Sequence, residues 1–444
     1  MLKKYLKMTI RKLTRNKVYS IINILGLSIG IASSILILLW VTHELSYDRF
    51  HKNADEIYRV VGDDGLIGKI STTCGPLSDY LKNNFPGIVN STRYMPYAGS
   101  PFKYNNNLFK VDKGAFADPA FFEMFSYGFI HGDSRSALSN VSSIVITERM
   151  AKRFFKNENP MGKTLLIDGR SPLIVSAVIK NPPANSQLQF DFLLNTMILK
   201  YIGYPLDDWS SSGIYTFVET QKNTVIQKLN AQIADLMPKH IPGFNRKLFL
   251  QPLTGIHLTN DFAYDLPGIG DKKYVFIFSA IALFLILIAC INYINLSTAR
   301  VLKISKEVGL RKIMGANRFQ MIQQFFSESM TIVIISFVLA IVLVEIILPA
   351  FNQLSGKALT INYFAVAFFY IIAVLLILVS FISGGYPALY LSSVNPVNAL
   401  KNIFSGRKKG SLFRKVLVVT QFSLSIILII GTMIVYQQLN YIKN

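Results

Sequence analysis

The stretch Asn292–Ser329 reads NYINLSTARVLKISKEVGLRKIMGANRFQMIQQFFSES, a basic and helix-forming segment between two apolar runs. Tyr274–Ile291 precedes it and Met330–Leu348 follows it, and each has about the 20 residues that a helix needs to cross a bilayer. Six basic residues and one acid lie between Asn292 and Gln324, which is typical of a short cytoplasmic loop. The pattern predicts two membrane helices joined on the cytosolic side.

The loop itself is predicted to form a short amphipathic helix, a tight turn and a second helix. Its apolar residues fall largely on one helical side: Val308, Leu310, Ile313 and Met314. Gly315 suits a left-handed C-terminal cap, and Asn317 suits an N-cap with Gln320 at the capping-box position. The apolar side suits docking into a groove of a cytoplasmic partner, and the alternative is a helix that lies on the inner headgroups.

Composition places much of the chain in lipid. Hydrophobic residues make up 51% of the 444 residues, and the mean hydropathy is +0.37. The net charge of +21 is concentrated at the ends of apolar runs, with seven basic residues in the first 20 and six in Val394–Lys415. Between His43 and Asp271, 23 basic residues nearly balance 22 acidic ones. This is the positive-inside pattern of a membrane protein, and it argues against a nucleic-acid partner.

The N-terminus is predicted to be a retained membrane anchor. Residues 1–20 alternate apolar and basic positions as an interfacial helix does, and the apolar run Ile21–Val41 is too long for a signal-peptide core. Gly26, Gly30 and Ser34 form a strip of small residues at GxxxG-like spacing, which favours close packing of another helix.

Residues 43–271 have a soluble composition and alternate predicted strands with predicted helices. Ser143–Thr147 is predicted to be a buried strand that leads into a helix at Glu148–Phe155, and Thr164–Ile167 forms a hairpin with Leu173–Ile179. A strand at Ile214–Val218 precedes an amphipathic helix with one apolar face: Val225, Leu229, Ile233 and Leu236. This segment is predicted to be an α/β domain outside the cytoplasmic membrane.

No catalytic or metal-binding pattern stands out. Asn157–Thr164 ends like a phosphate loop but lacks its first glycine, and Pro160 removes an N–H. Ser28 lies in a GxSxG sequence inside an apolar span that holds neither acid nor histidine partner. The five histidines lack metal-ligand spacing. Cys74 would lie in the aqueous phase and Cys290 in the membrane, so no disulfide is expected between them. We therefore expect no enzyme activity, cofactor or metal in the chain itself.

The sequence resembles the FtsX-like, MacB-type permeases of ABC transporters over essentially its whole length. Four blocks carry the resemblance: STARVLKISKEVGLRKIMGANRFQMIQQFFSES, NPMGKTLLIDG with VSAVIKNPPANSQLQFDFL, RKLTRNKVYSIINILGLSIG and GGYPALYLSSVNPVNALK. The resemblance implies an α-helical integral membrane protein with a large α/β extracytoplasmic domain. It resembles the first half of the eight-span members together with the opening span of their second half.

Together, the residue patterns and the resemblance predict ten segments. They are a cytoplasmic amphipathic helix (1–20), transmembrane helix 1 (21–42), the extracytoplasmic α/β domain (43–271), transmembrane helix 2 (272–296), a cytoplasmic coupling loop (297–324), transmembrane helix 3 (325–349), a short outer loop (350–361), transmembrane helix 4 (362–386), a basic cytoplasmic linker (387–415) and transmembrane helix 5 (416–438). Helix 4 is expected to break at Gly384-Gly385-Tyr386-Pro387.

The function implied by the resemblance is that of a permease subunit in the bacterial cytoplasmic (inner) membrane, with a cytoplasmic N-terminus. It would couple ATP hydrolysis by a separate cytosolic ABC ATPase to export of an amphiphile, peptide or lipoprotein, by mechanotransmission. The alternative is an FtsX-like signalling subunit that regulates a cell-wall hydrolase or senses peptides. Other implied partners are membrane lipids, a second identical or different permease, and a periplasmic adaptor. The loop predicted to contact the ATPase comprises Lys306, Glu307, Val308, Gly309, Leu310, Arg311, Lys312, Ile313, Met314, Gly315 and Ala316.

Overall fold

The computed structural model describes residues 11, 13–65, 67–299, 310–361, 363, 366–392 and 408–443. The chain divides into two compact units. One holds residues up to Thr42 and from Val275 onward, and the other holds His43–Tyr274. We call them the helical unit and the α/β unit.

Long apolar helices make up the helical unit. They are α1 (Lys17–Leu45), α9 (Lys272–Ala299), α10 (Arg318–Ser355), α11 (Val366–Ser392) and α12 (Lys408–Lys443). Four stretches of the described residues are long and apolar enough to cross a membrane, namely Lys17–Leu45, Lys272–Ala299, Arg318–Ser355 and Lys415–Ile434, and α11 contains a shorter apolar stretch at Ile372–Gly385. The four longer stretches have the length and composition of membrane spans.

A shared apolar core holds α1, α9, α10 and α11 together. Ile31 of α1, Cys290 of α9, Val333 of α10 and Val379 of α11 are all buried in one cluster. The apolar side chains of α12 are different, since Phe422 and others along it are exposed. Lipid is the environment in which such an apolar surface is stable.

The break predicted in the fourth helix is wrong. Helix α11 continues through Gly384 to Pro387 and ends at Ser392. Gly384 packs closely against α10, since a Cβ there would lie 3.0 Å from the Cβ of Ser329. Proline is tolerated inside membrane helices, so the Gly-Gly-Tyr-Pro sequence by itself does not end α11.

Within the predicted basic linker (387–415), α11 continues to Ser392 and α12 begins at Lys408, and the apolar stretch of α12 begins at Lys415. Residues 393–407 of this linker lie outside the described part of the chain, as do residues 1–10 and 12 of the predicted N-terminal helix.

The α/β unit is built on one mixed sheet. Its thirteen strands are β1 (Ile57–Asp63), β2 (Lys69–Ile70), β3 (Ile88–Tyr97), β4 (Ser100–Tyr104), β5 (Asn107–Val111), β6 (Gly114–Ala117), β7 (Phe129–His131), β8 (Ser143–Thr147), β9 (Thr164–Ile167), β10 (Ser171–Ile179), β11 (Phe192–Asn195), β12 (Tyr215–Thr220) and β13 (Lys247–Pro252). The order is β13-β1-β12-β3-β6-β11-β8-β10-β9-β4-β5, with β2 beside β1 and β7 beside β10. The pairs β8–β10 and β6–β11 are parallel.

Short helices cover both faces of this sheet. They are α2 (Leu77–Asn84), α3 (Phe121–Met124), α4 (Glu148–Phe155), α5 (Ile198–Tyr201), α6 (Ile226–Ile233), α7 (Leu236–His240) and α8 (Leu253–Ile256). All five residues of β8 are buried, and Val145 joins one apolar cluster whereas Ile144 and Ile146 join another. Since successive side chains of a strand point to opposite faces, the central strands carry a core on each side.

Most of the elements predicted for this region are confirmed. Strand β8 leads into α4, and β9 forms an antiparallel hairpin with β10. One prediction was wrong: the amphipathic helix is split into α6 and α7, and Val225 at its start is 61% exposed. Leu229, Ile233 and Leu236 nevertheless share one apolar cluster, so the apolar face is preserved across the split.

Candidate functional site

The described part of the predicted coupling loop is a helical turn at 310–313 followed by α10. This described part contains seven of the residues predicted to contact the ATPase: Leu310, Arg311, Lys312, Ile313, Met314, Gly315 and Ala316. Lys306, Glu307, Val308 and Gly309 lie outside the described residues.

Two caps fix the geometry of the turn. Gly315 has a φ of +94°, and its N–H donates to the carbonyl of Lys312. The N–H of Ala316 donates to the carbonyl of Arg311, which completes the Schellman pattern of a helix C-terminus. Asn317 then caps α10 in a full capping box with Gln320. Both predicted caps are confirmed, and they set the direction of the turn relative to α10.

The turn presents an apolar surface. Leu310, Ile313 and Met314 are 55%, 61% and 81% exposed, and Phe319 in the first turn of α10 is 65% exposed. Residues three and four apart share one side of a helix, so Leu310 lies on the side of Ile313 and Met314. We call these four residues the apolar turn.

Basic groups surround the apolar turn. The guanidinium of Arg311 donates to the side-chain carbonyl of Gln324, which ties the turn to α10. Partial burial lowers the pKa of Lys312, and the nearby charge of Arg318 adds to this effect. A positively charged rim around an exposed apolar patch would complement an acidic partner surface.

The small-residue strip of α1 faces α9. A Cβ on Gly30 would lie 2.6 Å from the Cβ of Ala289, and a Cβ on Gly26 would lie 3.3 Å from the side-chain nitrogen of Asn292. The hydroxyl of Ser34 donates to the backbone carbonyl of Ala282 over 3.0 Å. The two helices are therefore in backbone-close contact along this strip.

Two further polar contacts join helices of this unit. Tyr293 on α9 donates to the hydroxyl of Ser329 on α10 over 2.9 Å, and Asn295 donates to Gln421 of α12 over 3.4 Å. A polar residue in an apolar span signals such a bond, but its partner cannot be read from the sequence.

A buried hydrogen-bonded cluster joins the first and last segments of the α/β unit, and sequence reasoning missed it. His257 lies 2.9 Å from a carboxylate oxygen of Glu44 through Nε2 and 3.0 Å from Oε1 of Gln187 through Nδ1. The amide nitrogen of Gln187 donates to the carbonyl of Pro267, which leaves Oε1 facing the imidazole. Both ring nitrogens of His257 therefore face oxygen atoms of buried side chains.

Asp48 extends this cluster. Its Oδ1 accepts hydrogen bonds from the backbone N–H of Gln187 and the hydroxyl of Ser186. Burial raises the pKa of Asp48 to about 7, against the opposing effect of these two bonds. Burial also lowers the pKa of His51 to about 4. The cluster thus ties residues 44–48, 186–187 and 257–267 into one assembly.

The described residues offer no convergent metal site, since no group of three or more potential ligands comes together among them. Ser28 is fully buried in α1, and its hydroxyl donates to the carbonyl of Ile24. Lys163, in the segment that resembles a phosphate loop, is exposed and pairs with Glu158 at 3.4 Å. Each of these two side chains thus contacts a nearby residue of its own segment.

The fold and the site together define a class of membrane protein. Its members combine apolar helices of membrane length with a folded α/β unit and an exposed, capped helical turn. The chain matches the family model described as MacB-like periplasmic core domain over residues 20–236 and the one described as FtsX-like permease C-terminal over residues 279–396. It belongs to the MacB-like, FtsX-like family of ABC transporter permeases. It is a multi-pass inner-membrane protein with an extracytoplasmic α/β domain.

Curated relatives have low sequence identity. A macrolide export ATP-binding/permease protein MacB from Pasteurella multocida (strain Pm70) is 23% identical over 430 residues, covering 88% of this chain and 59% of the relative. The protein of the same name from Psychrobacter cryohalolentis is 25% identical, covering 60% of this chain and 39% of the relative. The chain thus spans about three fifths or less of the length of these relatives.

Solved structures similar to the chain correspond to isolated domains. A domain of a protein named as a permease from Porphyromonas gingivalis is 21% identical, with a TM-score of 0.42, and the match covers 49% of this chain and 97% of that one. The periplasmic region of MacB from Actinobacillus actinomycetemcomitans is 14% identical, with a TM-score of 0.35, and covers 45% and 90% respectively.

Proposed function

We propose that this chain is the membrane-embedded permease of an ABC transporter, which couples ATP hydrolysis on a separate cytosolic ATPase to export by mechanotransmission. The observation that carries the proposal is the apolar turn, a capped and exposed helical turn between two membrane-length helices. The exported substrate would be an amphiphile, a peptide or a lipoprotein.

The apolar turn has the properties of a docking element. Leu310, Ile313 and Met314 are more than half exposed, although transfer of such side chains out of water is worth roughly 1.5–3 kcal/mol each. A partner groove that covers them would recover this free energy by helix-in-groove recognition. The two caps hold the turn rigidly against α10, so a movement of the partner would be passed to that helix.

The α/β unit is arranged to respond as a whole. Glu44 near the end of α1 and Gly270 just before α9 both meet His257, which hydrogen-bonds to the carboxylate of Glu44 and accepts at its carbonyl from the N–H of Gly270. Because one residue binds both ends of the unit, a displacement of either end would be shared by the other. This supports a mechanical relay, which needs two states with different partner contacts.

The orientation proposed here follows from charge. The basic N-terminal segment, the loop before α10 and the segment before Lys415 would face the cytosol, by the positive-inside rule. His43–Tyr274, where acidic and basic residues nearly balance, would lie outside. The ATPase and the apolar turn are then on the same side of the membrane.

The test compares Met314→Asp with Leu108→Asp. Met314 is 81% exposed in the apolar turn, and Leu108 is 69% exposed in the α/β unit, so neither substitution removes a core side chain. Each tagged full-length variant is purified from its native membrane, and the ATPase activity that co-purifies is measured. We expect Met314→Asp to lose at least tenfold of this activity because a carboxylate would be buried in the docking groove, and Leu108→Asp to retain it.

Equal activity with the two variants would show that the apolar turn does not dock the ATPase. Absence of ATPase activity with the wild-type chain as well would contradict coupling to a separate ATPase. If the ATPase does co-purify but deletion alters only cell-wall turnover or peptide response, the chain is a signalling subunit with the same coupling.

A further inference from the structure

The α/β unit contains an open cleft that has no role in the proposed coupling to an ATPase. It has a volume of about 690 Å³ and lies over the sheet where β6, β10 and β11 expose one face beside α5. Ligand pockets for small molecules are typically about 300–1,000 Å³. The cleft is therefore of the size of a small-molecule site.

The cleft has an apolar floor and an apolar rim. Phe116, Leu173 and Leu194 line its floor from three different strands and are at most 4% exposed. Tyr201 and Ile202 line the rim and are 79% and 66% exposed. Two large apolar side chains held in water beside an apolar floor indicate a surface that a ligand can cover.

One carboxylate lines the cleft at its mouth. Among the described residues that line the cleft, Asp168 is the one with a carboxylate, and none of them is basic. It sits in the three-residue loop between β9 and β10 with a φ of +53°, and its N–H donates to the carbonyl of Pro101 over 2.9 Å. Lys200 lies next to Tyr201, but its ammonium pairs with Asp207 at 2.7 Å. The backbone that carries this carboxylate is thus held in place beside the apolar cleft.

We propose that this cleft binds a small amphiphile with a flat apolar body and an amine. The body would cover Leu173 and the rim residues Tyr201 and Ile202, and the protonated amine would pair with Asp168. The inference names a ligand class for the proposed permease and so rests on that function for its biological meaning. Binding itself needs no ATPase, so the two proposals can fail separately.

The test uses three probes with one body and different ends: pyrenebutylamine, pyrenebutanol and pyrenebutyric acid. Trp40 and Trp209 are the two tryptophans of the sequence. In a full-length Trp40→Phe background, Trp209 of the α/β unit is the one tryptophan energy donor to bound pyrene. Binding is titrated in detergent micelles by the loss of Trp209 emission.

We expect the amine to bind about fivefold more tightly than the alcohol, as a charge pair near 4 Å in a solvated site would give, and the acid to bind most weakly. Asp168→Asn should abolish the difference between amine and alcohol. Asparagine tolerates a positive φ, so the loop is expected to keep its shape. Tyr201→Ala should weaken all three probes by a few-fold, since the contact it removes is apolar.

The matched control is Asp112→Asn, which removes a carboxylate that is 73% exposed outside the cleft and should change nothing. Thermal unfolding of each variant confirms that it is folded. Equal binding of the three probes to the wild type, or a difference that survives Asp168→Asn, would overturn the proposal. If energy transfer from Trp209 to pyrene is the same in all variants, the signal reports only the partition of the probes into micelles. That result would overturn the proposal too.

Discussion

Asp48→Asn should change how the stability of the α/β unit depends on pH. The wild-type carboxyl is buried, and its pKa is raised from 3.8 to about 7. The folded unit therefore keeps a proton that the unfolded chain releases above pH 4. Stability from this group is fully present below about pH 4 and is lost as the pH rises to about 7. Asparagine can still accept from the N–H of Gln187 at Oδ1, but it does not titrate.

The size of the effect follows from the same pKa. At about 1.4 kcal/mol for each pKa unit, the buried carboxylate costs on the order of 4 kcal/mol above pH 7. His51 acts in the opposite sense: its pKa is lowered from 6.5 to about 4, so its contribution is present above pH 6.5 and is lost as the pH falls to about 4. The two slopes largely cancel between pH 4 and 6.5 in the wild type.

Relative to the wild type, we expect the stability of Asp48→Asn to rise by roughly 2 kcal/mol from pH 4.5 to 6.5, because the wild type loses the contribution of its protonated Asp48 over this range and the variant does not. The free energy of unfolding is measured by urea titration of the detergent-solubilised full chain, with Trp209 as the reporter in a Trp40→Phe background. All other titrating groups cancel when the variant is compared with the wild type at each pH.

The control for this experiment is His51→Asn, whose stability should fall over the same pH range because only Asp48 of the pair remains. If the difference between Asp48→Asn and the wild type stays constant from pH 4.5 to 7.5, Asp48 is not a buried titrating group and the reasoning is refuted.

The remaining predictions concern the helical unit. Gly30→Leu should destabilise it by about 1–3 kcal/mol through overpacking, because a Cβ there would lie 2.6 Å from Ala289, whereas Gly431→Leu, where no atom lies within 4 Å of the added Cβ, should be neutral in thermal unfolding. Asn317→Ala should cost about 1 kcal/mol of local stability by removing the cap of α10, seen as faster amide hydrogen exchange at Gln320, and Asn317→Asp should retain protection. An unchanged exchange rate in Asn317→Ala would contradict the cap.

Local signals in the sequence predicted local structure well. The glycine at 315 and the asparagine at 317 predicted the two caps, since each cap depends on a few neighbouring residues. The same reasoning was wrong at Pro387 and at the split between α6 and α7. At Pro387 the local breaker signal did not end the helix, since proline is tolerated inside membrane helices. The apolar face remains continuous across the split between α6 and α7, and we have no physical account of the split itself.

The candidate sites also differ in whether their residues are close together or far apart in the sequence. Leu310, Ile313 and Met314 are close in sequence, so their periodicity predicted an apolar helix side, whereas Phe319 was not part of that prediction. His257 and Glu44 are 213 residues apart, and neither carries a recognisable motif. The cleft likewise combines residues of β6, β10, β11 and α5.

Membrane-length helices, the charge asymmetry and the helix caps were readable from the chain because hydrophobicity, charge and capping act over a few adjacent residues. The pairing of α1 with α9, the buried cluster at His257 and the cleft beside Asp168 emerged only in three dimensions. They depend on distances between segments that are far apart in sequence, and burial in the folded unit is what changes the chemistry of Asp48 and His51.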